Sequence, residues 1–408
     1  MIPLDRVSVL LQRYDLCDAC LGRQFKLLVE GETNAERGKN IRSMIRGATP
    51  PEKCYICSAI RPILPKLEEK ALQQLEKLSI DSLLVGVTVP DDVIETEDTI
   101  RLRYGLVDGE SIKRELAREL GERLAEKTGL EIDFERPDVT LIFDLSERRP
   151  RVTVQINPVF IFGRYRKFER GLSQTDRYCR KCRGKGCEEC GFTGLETSES
   201  IESMIAIKAL EAFRGEGWRF HGSGREDVDA RMLGNGRPFV LEILKPKTRH
   251  VDLAALQAEV NSSFAGRIEI VGLRRSSRRE MQRIKTRKFD KTYEVTARYS
   301  GDLDDCRLES LVEELSGCEI RQRTPLRVLP RRKDMVRKRL VKYLEILEHD
   351  GDVKTFRARL RCESGLYVKE LFNGDQGRTE PNVKDLLGVE EISVEELDVV
   401  TFHDDFGW

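Results

Sequence analysis

At 408 residues with 39% hydrophobic side chains, the chain is long enough for about two to four domains with real cores. Its 71 basic and 71 acidic residues cancel, so net charge argues neither for nor against nucleic acid, and a 35% charged content fits a thermophile-like surface. No apolar run reaches the length of a bilayer span, and charges interrupt the apolar stretch of MIPLDRVSVLLQRYDLC, unlike a signal peptide, so a cytoplasmic protein without membrane contact is expected.

Eight of the eleven cysteines form four Cys-x-x-Cys pairs. The first set, Cys17, Cys20, Cys54 and Cys57, presents two thiolates from each of two tight turns, the ligand pattern of a tetrahedral Zn²⁺ site. Four cysteines leave no open position for water, so its role is structural. Disulfides are the competing reading, disfavoured by the cytoplasmic expectation and by the knuckle spacing.

From Pro65 to about Leu78 leucines recur at helical spacing, and DSLLVGVTVP follows as a strand. Ser111 caps a second predicted helix, with Ile112, Leu116, Leu120 and Leu124 as its core stripe and Gly129 as its end. DVTLIFDL and RVTVQINPVFIFG read as strands, which gives an α/β layer. The exit GRYRKFERG sets Arg164, Arg166, Lys167 and Arg170 beside Tyr165 and Phe168, either a face for phosphates and bases or a strand end with ordinary surface charge.

RYCRKCRGKGCEECGFTG supplies the second set, Cys179, Cys182, Cys187 and Cys190, with glycines for the turns that let two knuckles face each other. It is the stronger zinc signal, and no thioredoxin-like context supports a redox role. Ile201, Met204, Ile205, Leu210 and Phe213 then mark a helix over about 200–214. WRFHG and RPFVLEI read as strands around a loop holding Arg225, Glu226, Asp227 and Asp229. Two basic tracts, 274–288 and 321–343, each contain a single acid and favour a polyanionic partner. Asp350-Gly351 signals a hairpin, and Cys306, Cys318 and Cys362 are expected in the core. Four scattered histidines and the absence of a GxxxxGK[ST] loop argue against histidine-metal, Ser/His/Asp and P-loop chemistry.

Three separated segments, GREDVDARMLGNGRPFVLEI, KTYEVTARYSGD at 291–302 and GLYVKELFNGDQGRTEPNVKDLLG at 365–388, resemble the Pus-ten family of pseudouridine synthases, whose archaeal members are tRNA T-loop enzymes. The resemblance implies an α+β chain: a zinc-binding segment at 1–60, a THUMP-like RNA-binding α/β domain at 61–170, a second zinc knuckle at 171–195, and at 196–408 a catalytic domain around a central antiparallel sheet. It implies uridine isomerisation at tRNA positions 54 and 55, without a catalytic cofactor, by a monomer that holds the T loop, elbow and acceptor end. Asp227 would be the catalytic carboxylate, with Lys369 as its ion-pair partner, Tyr293 stacking on the flipped base, Arg225 filling the space that base leaves, and Val368 and Leu397 as apolar walls. Asp229 is the rival for the catalytic role, and alternation over SGLYVKE would set Tyr367 and Lys369 on one face with Val368 on the other. A zinc-containing tRNA-binding protein without catalysis is the alternative.

Overall fold

A computed structural model describes residues 4–107, 109–196 and 199–406. The chain divides into two compact units, Met1–Pro158 with Leu244–His250, and Val159–Ile243 with Val251–Trp408. No helix among the described residues is long and apolar enough to cross a membrane.

In the first unit a mixed sheet runs in the order Glu131–Ile132, Ser82–Thr88, Val139–Asp144, Arg151–Ile156, parallel except for the last pair. Against it packs helix Ile112–Thr128, which starts where the Ser111 hydroxyl accepts the Arg114 N–H and stops at Gly129 in the left-handed region. Its stripe of Ile112, Leu116, Leu120 and Leu124 is completely buried, each side chain contributing on the order of 2 kcal/mol. Helix Leu64–Leu75 buries Leu67, Ala71 and Leu75. Helix Asp91–Tyr104, not anticipated from the sequence, buries Glu97 between Val93 and Ile100. The cysteine-bearing start of the chain and this layer share one hydrophobic core, from Val7 through Cys20, Cys54 and Cys57 to Leu145.

The run RVTVQINPVFIFG is not one sheet's property. Pro158 lacks the N–H a ladder needs, and the strand breaks there. Arg151–Ile156 is the half-exposed edge of the first sheet, whereas Val159–Lys167 is buried almost throughout and pairs antiparallel with Arg231–Leu244 and Ile268–Arg275 in the second unit. The expected segment 61–170 therefore contributes to both units.

The second unit is built on a ten-stranded sheet. Its path runs Thr379–Glu380, Glu319–Arg323, Val336–Asp350, Thr355–Cys362, Asp290–Tyr299, Ile392–His403, Arg231–Leu244, Val159–Lys167, Ile268–Arg275, with Gly217–Gly222 beside Arg231–Leu244. Neighbours along this path are antiparallel except Ile392–His403 and Arg231–Leu244, which meet in parallel at Asp398↔Arg231 and Val399↔Met232. One core gathers Ile201, Phe213 and Phe239, the other Leu308, Leu344 and Leu371, and Tyr293 packs against both. The Asp350-Gly351 hairpin and the helix at 201–213 form as expected. Of the three cysteines expected in the core only Cys362 is buried; Cys306 is exposed because helix Asp305–Leu315 turns Leu308, Leu311 and Leu315 inward, and Cys318 is half-buried.

Candidate active site

The loop joining Gly217–Gly222 to Arg231–Leu244 carries Arg225, Glu226, Asp227 and Asp229, and buried groups hold it from beneath. Glu226 points inward, where both carboxylate oxygens accept the Tyr165 hydroxyl at 2.9 and 2.8 Å and Arg237 pairs with it at 2.8 Å. Gln174 donates to the Tyr165 oxygen and to the Gly224 carbonyl, at 2.8 and 2.9 Å. Lys167 donates to the carbonyls of Leu172 and Val228 at 3.0 and 2.8 Å, and Arg237 to that of Ser223 at 2.8 Å. Charge-assisted bonds of this kind, shielded from water, fix the backbone more firmly than a solvated turn.

This corrects the outward reading of GRYRKFERG. Tyr165 and Lys167 are completely buried, Arg164 pairs with Asp404 at 2.6 Å, Arg166 with Glu269 at 2.8 Å and Arg170 with Asp398 at 2.8 Å. With Arg231–Leu244 on one edge and Ile268–Arg275 on the other, the strand is interior and its cations serve the fold. Gly234 marks another close approach: a Cβ there would lie 1.7 Å from the Val400 carbonyl, so the crossing with Ile392–His403 requires glycine. Asn235 follows and bridges that crossing through the Phe402 carbonyl and N–H at 2.6 and 2.8 Å.

Asp227 reaches a cavity of about 240 Å³ whose lining includes Arg225, Tyr293, Val368, Leu397 and Lys291. Val368 and Leu397 are buried walls. Burial pushes the Tyr293 phenol well above its ordinary value, so it stays protonated and able to donate. Lys369 does not join this group. Residues Val368–Asn373 form a short helix instead of an alternating strand, and the Lys369 ammonium meets Asp229. Burial alone would raise the Asp229 carboxyl, but Lys369 outweighs it and holds it below the ordinary carboxylate range. The cation that meets Asp227 is Arg327, bidentate at 3.0 and 2.9 Å, which also pairs with Glu370 at 2.6 Å and lies over the Tyr367 ring. Arg327 sits within the basic tract 321–343, and nothing in its immediate sequence distinguishes it from its neighbours. A second hollow, lined by Asp227, Asp229, Arg327, Tyr367 and Lys369, brings the two aspartates and their cations together.

Lys291 was not anticipated either. Its ammonium lies over the Phe402 ring and donates to the Phe289 carbonyl at 3.2 Å. Burial, with Arg237 nearby, pushes it down from 10.5 to about 8. The native state thus binds fewer protons than the unfolded chain between these values, so stability rises with pH across that window and the full penalty applies below about pH 8. Relative to Lys291→Met, the wild type should gain roughly 2–3 kcal/mol in urea unfolding between about pH 7 and pH 10; a constant difference across that range would refute the assignment.

Both cysteine sets converge. Within each, the four sulfurs lie within 4.8 Å of one another. Cys17 and Cys57 are 3.6 Å apart, and Cys179–Cys187 and Cys182–Cys190 each 3.8 Å, close to the roughly 3.8 Å edge of a tetrahedron with 2.3 Å metal–sulfur bonds and far longer than a disulfide. Backbone N–H groups point at the sulfurs, Cys20 to Cys17 at 3.4 Å and Gly186 to Cys182 at 3.2 Å. Each set could hold a metal ion. The first adds the buried Arg23, which donates to the Cys20 sulfur and to Glu97, both at 2.7 Å, and lies 3.6 Å from Glu115.

The family model described as Pus10, C-terminal, matches residues 160–403, starting one residue into strand Val159–Lys167, and that described as Pus10 THUMP domain, archaeal, matches 67–144. Proteins named tRNA pseudouridine synthase Pus10 are similar over nearly the whole chain. That of Methanothermobacter marburgensis is 42% identical over 94% of this chain and 95% of its own length. Those of Pyrococcus furiosus and Methanothrix thermoacetophila are each 38% identical, over 98% and 94% of this chain and 98% and 91% of their own lengths.

Proposed function

Because the chain belongs to the Pus10 family of tRNA pseudouridine synthases, we propose that it isomerises uridine to pseudouridine at positions 54 and 55 of the tRNA T loop, with Asp227 as the catalytic carboxylate. The reaction breaks the C1′–N1 bond, turns the uracil and joins C1′ to C5; C5 loses a proton and N1 gains one. No electrons are exchanged, so the protein must supply only a carboxylate at the sugar, a pocket for the detached base and a way to take the nucleotide out of its stack. The observation that carries the reading is the placement of Asp227 in one cavity with Tyr293, Val368 and Leu397.

In this reading Tyr293 stacks on the uracil, Val368 and Leu397 enclose it, and Asp227 acts at the sugar, on C1′ or on the C2′ hydrogen. Arg225, exposed on the same loop, fills the gap the base leaves in the RNA. Arg327 orients both Asp227 oxygens, and Lys369 acts one step away through Asp229. Asp229 lines the outer hollow and not the cavity with Tyr293, which favours Asp227 over its rival. Both cysteine sets bind Zn²⁺, which supplies folding energy and no chemistry. A monomer contacts the tRNA elbow through the tract 274–288, where Arg278, Arg279, Lys285 and Lys288 are exposed without an ion pair among the described residues, and the acceptor end through the THUMP-like half.

The test compares wild type, Asp227→Asn and Asp229→Asn on an unmodified tRNA transcript, scoring binding and pseudouridine at each T-loop position. Asp227→Asn should bind normally and lose more than about 10³-fold in turnover, and Asp229→Asn should retain product. Product from Asp227→Asn would move the role to Asp229, and binding without product in the wild type would leave an RNA-binding protein.

A further inference from the structure

The second cysteine set stands apart from everything the reaction requires, yet the chain entering it reaches the active site. Arg177, two residues before Cys179, lines the outer hollow together with Asp227, Asp229, Arg327 and Lys369. The module's own closure fixes this residue: Glu196 N–H donates to the Arg177 carbonyl at 2.7 Å, Tyr178 bridges Leu195, and Cys179 N–H donates to Gly194 at 2.8 Å. Resting on the synthase reading, we propose that this cysteine module is an RNA-contacting element at the mouth of the catalytic pocket, with Arg177 holding a phosphate and Tyr178 a base of the strand beside the reacting uridine.

Charge bookkeeping around the pocket supports a phosphate. Inside, Asp227 is already matched by Arg327 and Asp229 by Lys369. Arg177 and the exposed Arg332, which lines both hollows, have no ion pair or side-chain hydrogen bond among the described residues. Two guanidiniums from distant parts of the chain thus flank a pocket whose two aspartates each already have a cation, Arg327 serving Glu370 as well, a mouth complementary to a polyanion's backbone.

The module's surface fits an unpaired strand. Tyr178 is 71% and Phe192 74% exposed, large apolar areas for a segment that buries little of its own. The Tyr178 ring is braced rather than free, since a Cβ on Gly184 would lie 3.0 Å from it. Arg183 and Lys185, likewise without an ion pair, accompany the rings, whereas Arg180 and Lys181 are taken up by Glu196 and Glu189. Exposed rings beside uncommitted cations form the composition by which small metal-held modules and single-strand grooves take bases and phosphates.

The experiment measures tRNA affinity and steady-state kinetics for full-length Arg177→Ala, Arg177→Lys, Tyr178→Ala and Tyr178→Phe, with metal content checked for each. Arg177→Ala and Tyr178→Ala should each weaken tRNA binding and raise KM roughly tenfold with kcat little changed, Arg177→Ala should reduce the salt dependence of binding by about one ion, and the lysine and phenylalanine variants should recover most of the loss. Affinity and KM within twofold of wild type would overturn the proposal, as would a loss confined to kcat. Repeating the binding measurement in the Asp227→Asn background judges the module without reference to turnover, so a protein that binds through it but makes no pseudouridine would refute the synthase reading alone.

Discussion

Glu226→Ala should lower the melting temperature of the second unit by roughly 10 °C and turnover by about 100-fold or more, although the Glu226 carboxylate is committed to the buried Tyr165 and Arg237 beneath the loop. Arg237 is 1% exposed and its guanidinium pairs with this carboxylate. Removing one partner of a buried pair costs about 3–5 kcal/mol, because the other charge is left in a medium that cannot solvate it, and a domain of this size loses about 2–4 °C per kcal/mol. The Tyr165 hydroxyl loses its acceptor in the same step, and the loop bearing Asp227 loses its inward tether. Glu226 is a positioning residue, so stability and turnover should separate: Glu226→Leu combined with Arg237→Leu should recover much of the stability while turnover stays low. Thermal melts with single-turnover kinetics on these variants and Asp227→Asn check this. A Glu226→Ala protein with wild-type melting and turnover would dispose of the tether.

Arg23→Met should destabilise the first unit and speed the release of a metal ion held by the first cysteine set, leaving the second cysteine set unaffected. Arg23 is completely buried, and its loss leaves Glu97 with Arg101 at 3.3 Å and Glu115 with Arg61 at 3.0 Å as their remaining cations. Four thiolates around a divalent ion also keep net negative charge, and Arg23 is the buried cation that answers it at the Cys20 sulfur. Loss of such an outer partner typically weakens metal binding 10–100-fold. Arg23→Lys should fail to rescue, since a single ammonium cannot reach a sulfur and a carboxylate in the fixed fork the guanidinium provides. Among the described residues no side-chain cation hydrogen-bonds the second set, so chelator-driven release should be biphasic, with only one phase accelerated by the substitution. Acceleration of both phases, or of neither, would contradict this account.

These two sites mark the limits of what the sequence discloses. Spacing alone indicated the cysteine sets, the stripe of Ile112, Leu116, Leu120 and Leu124, and the strand–loop–strand around Asp227, because each is written within a few turns of chain. Resemblance named Tyr293, Val368 and Leu397, which the structure gathers around one cavity with Asp227. What stayed hidden depends on partners far apart. Arg327 finds Asp227 across 100 residues and Tyr165 finds Glu226 across 61, and no local pattern records either meeting. The resemblance paired Lys369 with Asp227, whereas its ammonium meets Asp229 from a short helix where alternation had suggested a strand. Helix Asp91–Tyr104 was overlooked because Glu97 on its buried face breaks the apolar stripe that would have announced it. The split at Pro158 was missed because two apolar strands in succession look like one hairpin until their partners are known.

The first unit has a consequence for how the protein is made. Residues 244–250 return to it after the chain has laid down the loop that carries Asp227: Thr248 bridges Ser79, the Lys247 carbonyl accepts the Ser79 N–H at 2.8 Å, and Arg249 clasps Asp138 at 3.1 Å and the Asn157 carbonyl. An N-terminal fragment ending at Pro158 lacks that clasp. On the ribosome the unit therefore waits, on the order of ten seconds at ordinary translation rates, for the segment that completes it. During that interval the end of its sheet near Ser79 and Asp138 is open to whatever reaches it first, and the order of synthesis, as much as the final structure, decides that the right segment arrives.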